Sequence, residues 1–120
     1  MKEIDNDELE RIVSSNSERP ALVEFMTDKC VWCARLKPIL EDIEKLYADK
    51  LDFYNINLYA KDSNKYAFIK YKISVTPTIK IFYNSKEILS ITGYLELNDF
   101  KLELEHMFKR LGSMTHLIIS

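Results

Sequence analysis

The run Ala21-Leu22-Val23-Glu24-Phe25-Met26 is apolar at every position but one and is only six residues long, between Pro20 and Thr27. So short an apolar stretch fits a strand buried on both faces, and such strands occur in sheets covered by helices on each side. The flanking segments supply the helices. Leu9, Ile12 and Val13 recur at helical spacing behind an Asp5-Asn6-Asp7 cluster able to cap a helix, which predicts a short helix over residues 6–15, broken by Asn16 to Pro20. From Cys30 to about Asp49, Leu36, Ile39, Leu40, Ile43, Leu46 and Tyr47 step by three and four. That pattern predicts an amphipathic helix, capped by Thr27 or Asp28 and bent at Pro38.

The remainder alternates in the same way. Residues 51–58 are rich in strand formers, and residues 63–71 place Tyr66, Ala67, Ile69 and Lys70 at helical spacing. Ile79 to Tyr83 and Glu87 to Ile91 flank the turn-prone Asn84-Ser85-Lys86 and predict an antiparallel hairpin. A last helix is expected from Glu96 to Leu111, with Leu97, Phe100, Leu104, Met107 and Phe108 inward and Gly112 ending it. Strands separated by helices imply parallel pairing. The expected fold class is therefore α/β: a central mixed sheet of about four strands flanked by helices on both faces, a parallel βαβ unit followed by an antiparallel hairpin and a C-terminal helix. With 120 residues and only five Gly and Pro together, the chain reads as one domain over residues 1–112, and the tail from Ser113 to Ser120 has no pattern that fixes its structure.

A domain of this size needs no cross-link as a strut, so its two cysteines, Cys30 and Cys33, are available for chemistry. A bridge between i and i+3 closes a very small loop and stabilises little by the loop-entropy account. Two sulfurs are half of a tetrahedral zinc site, and the other candidate ligands, His106 and His116, lie far along the chain without ligand spacing, so no metal is expected. Two reduced thiols packed as small core residues are the bland alternative. The spacing itself offers a reversible dithiol, in which one thiolate attacks a partner's disulfide and the second resolves the mixed disulfide. At a strand-to-helix junction Cys30 falls in the first turn, where free N–H groups and the adjacent Lys29 favour a thiolate, while Cys33, one turn on, is more shielded.

The apolar strand ending four residues before Cys30-Val31-Trp32-Cys33, Pro38 five positions after the second cysteine, Thr76-Pro77-Thr78 opening the hairpin, Gly93 after it, and the final amphipathic helix occur together in that order. In these features the chain resembles the thioredoxin superfamily over about residues 5–111. The resemblance implies a thioredoxin fold and a thiol–disulfide oxidoreductase, expected to act as a protein-disulfide reductase with no cofactor beyond the Cys30–Cys33 pair. It implies that Pro77 is cis, although an X-Pro bond is cis in only about 5–6% of cases. It further implies that Thr76 and Pro77, with Gly93, meet the bound partner; Trp32, between two cysteines at a helix start, is expected near the surface where it can contact a partner, with plain packing as the alternative. Glu24 sits where thioredoxins usually keep a buried aspartate that takes a proton from the inner cysteine, and Asn55 replaces the usual lysine on the next strand. Lys29 stands where a tryptophan commonly precedes the first cysteine, and Val31-Trp32 replaces the frequent Gly-Pro.

Expected partners are Cys-containing protein substrates and an electron donor such as a thioredoxin reductase. Nineteen acidic against seventeen basic residues, with no basic block, argue against nucleic acid. The aromatic residues at 53, 54, 59, 66, 68 and 71 are accordingly read as core and sheet packing. No segment approaches a membrane span and the first residues lack the apolar stretch of a signal peptide, so a cytoplasmic, monomeric protein is expected unless a leader has been removed. Two rival readings are an exported oxidase or isomerase, and a thioredoxin-fold adaptor whose redox state switches binding.

Overall fold

In the computed structural model, which describes the backbone of residues 1–119 and the side chains of residues 1–112, the elements are β1 (Lys2–Ile4), α1 (Asn6–Ser14), β2 (Ala21–Met26), α2 (Val31–Tyr47), β3 (Asp52–Asn57), α3 (Asn64–Lys70), β4 (Thr78–Tyr83), β5 (Lys86–Thr92) and α4 (Leu97–Ile119). The sheet has five strands in the order β1-β3-β2-β4-β5. β3 runs parallel to β1 and β2, and β4 is antiparallel to both β2 and β5. β2 lies at the centre, as its apolar run requires. Alternation of its side chains sends Leu22 into one core, with Leu36, Ile43, Phe100 and Leu104 of α2 and α4, and Val23 and Phe25 into a second, with Leu9, Ala67 and Phe68 of α1 and α3.

Several expectations are corrected. The sheet has five strands because β1, only three residues long, is too short to show a period. α4 runs on to Ile119 where Gly112 was expected to end it. Gly112 lacks the positive φ that makes a glycine a helix stop, and a glycine inside a helix costs only about 1 kcal/mol. His116, weighed as a metal ligand, and the rest of the tail from Ser113 have side chains outside the described residues. Leu46 faces solvent, and so do Tyr59 (71% exposed), Tyr66 (57%) and Ile69 (71%), while Phe53 and Phe68 are buried as expected. α3 has seven residues and presents only Ala67 and Phe68 to the apolar core beneath it, which leaves its outer apolar residues bare.

Local chemistry explains the element ends. Asp5 caps α1 through a reciprocal pair: Oδ1 accepts from the Glu8 N–H at 2.9 Å and the Asp5 N–H donates to Glu8 Oε1 at 3.2 Å. The buried Asn64 amide ties three segments, accepting from the Asn6 N–H at 2.9 Å and donating to the Asn57 carbonyl at 2.8 Å. The hairpin turns through two residues, Asn84 and Ser85, both at positive φ, so Lys86 belongs to β5. The register slips between Ile81 and Phe82, leaving Ile88 as an extra residue that bulges β5.

Candidate active site

β2 ends in the turn Thr27-Asp28-Lys29, whose last residue has φ 59. Asn57 donates to Asp28 Oδ1 at 2.8 Å and the Leu58 N–H to the Met26 carbonyl at 3.0 Å, so β3 pins this turn. With Asp28 engaged there, the cap of α2 is neither Asp28 nor Thr27, as the sequence suggested, but Cys30. Its backbone is extended (φ −95, ψ 110), and its Sγ accepts the Cys33 N–H at 3.1 Å. The two cysteines are joined as a disulfide with Cα atoms 5.2 Å apart. Cys30 is half-buried, whereas Cys33 is 6% exposed. The outer sulfur is thus the one a partner can reach, and it occupies the end of a helix where unpaired N–H groups favour an anion.

The segment entering β4 faces this pair. The Thr76–Pro77 bond is cis and Pro77 is buried. The Thr76 carbonyl oxygen lies 3.5 Å from Cys30 Sγ, and the Thr76 hydroxyl, also 3.5 Å from that sulfur, is 3.4 Å from Thr27 Oγ1. The Gly93 N–H donates to the Pro77 carbonyl at 2.7 Å, and Gly93 needs its φ of +84, which a side chain would strain. Cys30, Thr76, Pro77 and Gly93 are therefore brought together. Trp32 is 49% exposed, with its ring between the Arg35 guanidinium at 4.7 Å and the Tyr94 ring at 5.4 Å. Val31 and Val75 are exposed alongside. Sequence reading missed Arg35 and Tyr94. Arg35 could have been found one helical turn beyond Trp32, and Tyr94 directly after Gly93.

Behind the disulfide lies an open slot of about 750 Å³, lined by Cys33, Glu24, Asn55 and Lys37 among others. Glu24 of β2 is directly opposite Asn55 of β3 and is only 5% exposed. Burial pushes its carboxyl up to about 7, and the positive charge of Lys37 pulls against that rise. Among the described residues no side chain hydrogen-bonds the Glu24 carboxylate, and Asn55 Oδ1 is a buried acceptor without a donor. Asn55 thus stands on the strand where the resemblance placed it, and the cation near Glu24 comes from α2 instead. Lys29 is exposed and also lines the slot.

A disulfide at a helix start, with one cysteine half-buried and the other buried, set against a cis-proline on a helix-covered mixed sheet, defines a thioredoxin-like fold and redox-pair site. The thioredoxin family model matches residues 1–106, and the chain belongs to the thioredoxin family. It is 38% identical over 87 residues to a thioredoxin of Buchnera aphidicola, covering 70% of this chain and 77% of that one. It is 33% identical over 91 residues to the chloroplastic thioredoxin Y of Oryza sativa, covering 74% of this chain but only 51% of the rice protein, about half its length. The crystal structure of thioredoxin f2 from Chlamydomonas reinhardtii superimposes with a TM-score of 0.76, covering 88% of this chain and 95% of that one. At 24% identity, that match speaks for the fold alone.

Proposed function

We propose that this chain reduces disulfides in other proteins, with Cys30 as the attacking sulfur and Cys33 as the resolving one. The observation that carries this reading is the contrast between the two: Cys30 is half-buried at the start of the helix and its Sγ receives the Cys33 N–H, whereas Cys33 is buried. In the reduced protein the Cys30 thiolate attacks one sulfur of a partner's disulfide, the partner's S–S bond breaks, and the first partner thiolate leaves with the electron pair. The Cys33 thiol then gives its proton to the Glu24 carboxylate and attacks Cys30 Sγ, forming the Cys30–Cys33 disulfide as the second partner thiolate departs. Two electrons pass to the partner, and a donor of the thioredoxin reductase class restores the dithiol. The chemistry runs on the two sulfurs with no added cofactor.

The rim supports docking of an extended segment. The Thr76 carbonyl beside Cys30 offers an acceptor to a partner backbone, Pro77 and Gly93 shape the floor, and Trp32 supplies an apolar wall. The charge of Lys29 next to Cys30 favours the thiolate. Bacterial and chloroplastic proteins both stand among the relatives, and the mechanism asks only for a reducing compartment, of which the cytoplasm is the simplest. Among the described residues no helix is long and apolar enough to cross a membrane.

Insulin reduction with dithiothreitol tests the proposal. Wild type should accelerate precipitation of the insulin chains and Cys30→Ser should not, while Cys33→Ser should accumulate mixed disulfides that mass spectrometry locates at Cys30. Equal rates for wild type and Cys30→Ser would overturn the reductase reading in favour of an adaptor.

A further inference from the structure

The slot behind the disulfide has a volume of about 750 Å³, within the range of small-molecule sites. Its floor is the sheet, where Glu24 of β2, Asn55 of β3 and Glu3 of β1 lie side by side in register. Its other wall is one face of α2, on which Ala34, Lys37, Glu41 and Glu44 recur at intervals of three and four, and Met26 and Leu40 make part of the lining apolar. Among the described residues this floor offers acceptors without donors. Glu24, only 5% exposed, has neither a hydrogen bond nor an ion pair, and Asn55 Oδ1 is buried with no donor. The donors nearby are committed elsewhere: Asn57 Nδ2 to Asp28 at 2.8 Å, Asn55 Nδ2 to Met26 Sδ at 3.8 Å, and the terminal amine of Met1 to Glu44 at 2.8 Å. Lys29 and Lys37 are exposed and pair with no carboxylate, and β4 sets the apolar Ile79 opposite Glu24. At the rim, Glu3 and Glu41 are exposed anions outside any ion pair among the described residues.

We propose that this slot is a binding site for a linear aliphatic diamine: one ammonium meets the Glu24 carboxylate at the floor, the methylene chain runs along Met26 and Leu40, and the second ammonium reaches the rim carboxylates Glu3 and Glu41. A buried carboxylate without hydrogen bonds needs a compensating charge, and a primary ammonium brings that charge together with three N–H donors. The pull of Lys37 on the Glu24 carboxyl is weaker than the burial that pushes it up, so the need is not met within the chain. Other ligand chemistries fit less well. An anion would face Glu24, Glu3 and Glu41 together, a neutral apolar molecule would leave Glu24 stranded, and a single ammonium would leave the rim unmatched. The span also agrees. Two strand spacings separate β2 from β1, about 10 Å, which a five-carbon diamine with a hydrogen bond at each end covers.

The test is isothermal titration calorimetry of the oxidised protein with 1,5-diaminopentane, n-pentylamine and 1-pentanol at low salt, with ¹H–¹⁵N spectra to place the ligand. The proteins are wild type, Glu24→Gln and the double variant Glu3→Gln/Glu41→Gln. Glutamine keeps the shape of Glu24, and Glu3 and Glu41 are exposed, so the variants should fold. Wild type should bind the diamine about tenfold or more tightly than Glu24→Gln does, the factor that a charge-assisted hydrogen bond is worth. In Glu3→Gln/Glu41→Gln the diamine should bind no better than pentylamine, and pentanol should give no measurable heat. Burial holds the Glu24 carboxyl at about 7, so affinity in wild type should rise as pH rises through that value, and Glu24→Gln should show no such rise. Equal affinity in wild type and Glu24→Gln would reduce the binding to general attraction by an acidic protein and overturn the proposal. So would an absence of binding to wild type, or spectral changes centred away from α2 and β2. Pentylamine binding wild type as tightly as the diamine would overturn the part given to the rim and, with it, the diamine as ligand.

Discussion

Replacing Glu24 by Gln should make the protein more stable than wild type, and only at the alkaline end of the pH range. The folded state holds the carboxyl at about 7, against an ordinary value of 4.5, because burial disfavours the charged form. Between these two values the unfolded chain has lost the proton and the folded chain retains it. The folded state therefore binds more protons, and wild-type stability falls as pH rises through this window. The gap of roughly 2.5 pH units corresponds to about 3 kcal/mol, fully developed above pH 7 and absent below about pH 4.5. Glutamine has nearly the same shape as the protonated acid and does not titrate. Urea unfolding of both proteins with the disulfide intact, at pH 4, 5.5, 7 and 8.5, should show a stability difference that grows by about 3 kcal/mol in favour of Glu24→Gln. With a urea slope of about 1–3 kcal/mol/M, the midpoints should separate by about 1 M or more at pH 8.5. Two curves that run parallel across the whole range would refute the argument.

Two further substitutions probe the framework. Asn64→Ala removes the acceptor for the Asn6 N–H and the donor to the Asn57 carbonyl, and should cost about 2 kcal/mol in denaturant unfolding while speeding hydrogen exchange at Asn6. Lys80 is a buried cation whose ammonium contacts Glu87 at 2.6 Å and Ser90 at 3.2 Å, so Glu87→Ala, which strands the charge, should cost about 1–3 kcal/mol. Lys80→Met, which removes the charge with its partner left in solvent, should cost less in the same assay.

The elements with a strong hydrophobic period were legible from the residues alone. The buried run at 21–26 and the helical spacing through Tyr47 led to β2 and α2 with boundaries close to those observed. What stayed hidden depended on three-dimensional context. β1 is a strand only because Lys2, Glu3 and Ile4 pair with Tyr54, Asn55 and Ile56. Tyr59 and Tyr66 look like core residues in composition, but the loop and short helix that carry them leave both rings exposed. In the site, Cys30, Cys33, Thr76, Pro77 and Gly93 were found through motif and resemblance. Lys37 could not be, since its relation to Glu24 exists only once α2 lies across β2 and β3. The sulfur cap was equally invisible, because Asp28 and Thr27 are the better capping residues by type and Asp28 is withdrawn by a hydrogen bond from the distant Asn57.

The two margins of the sheet bear on how the protein behaves in a crowded solution. A sheet margin with unpaired backbone can recruit a strand from another copy, and the geometry reduces that risk at both ends. β1 offers only three residues of unpaired backbone, and β5 begins with Lys86-Glu87 and is buckled at Ile88. Short, charged or irregular margins are poor templates for adding another strand. Copies of the protein are thereby discouraged from growing into fibrils along their sheets.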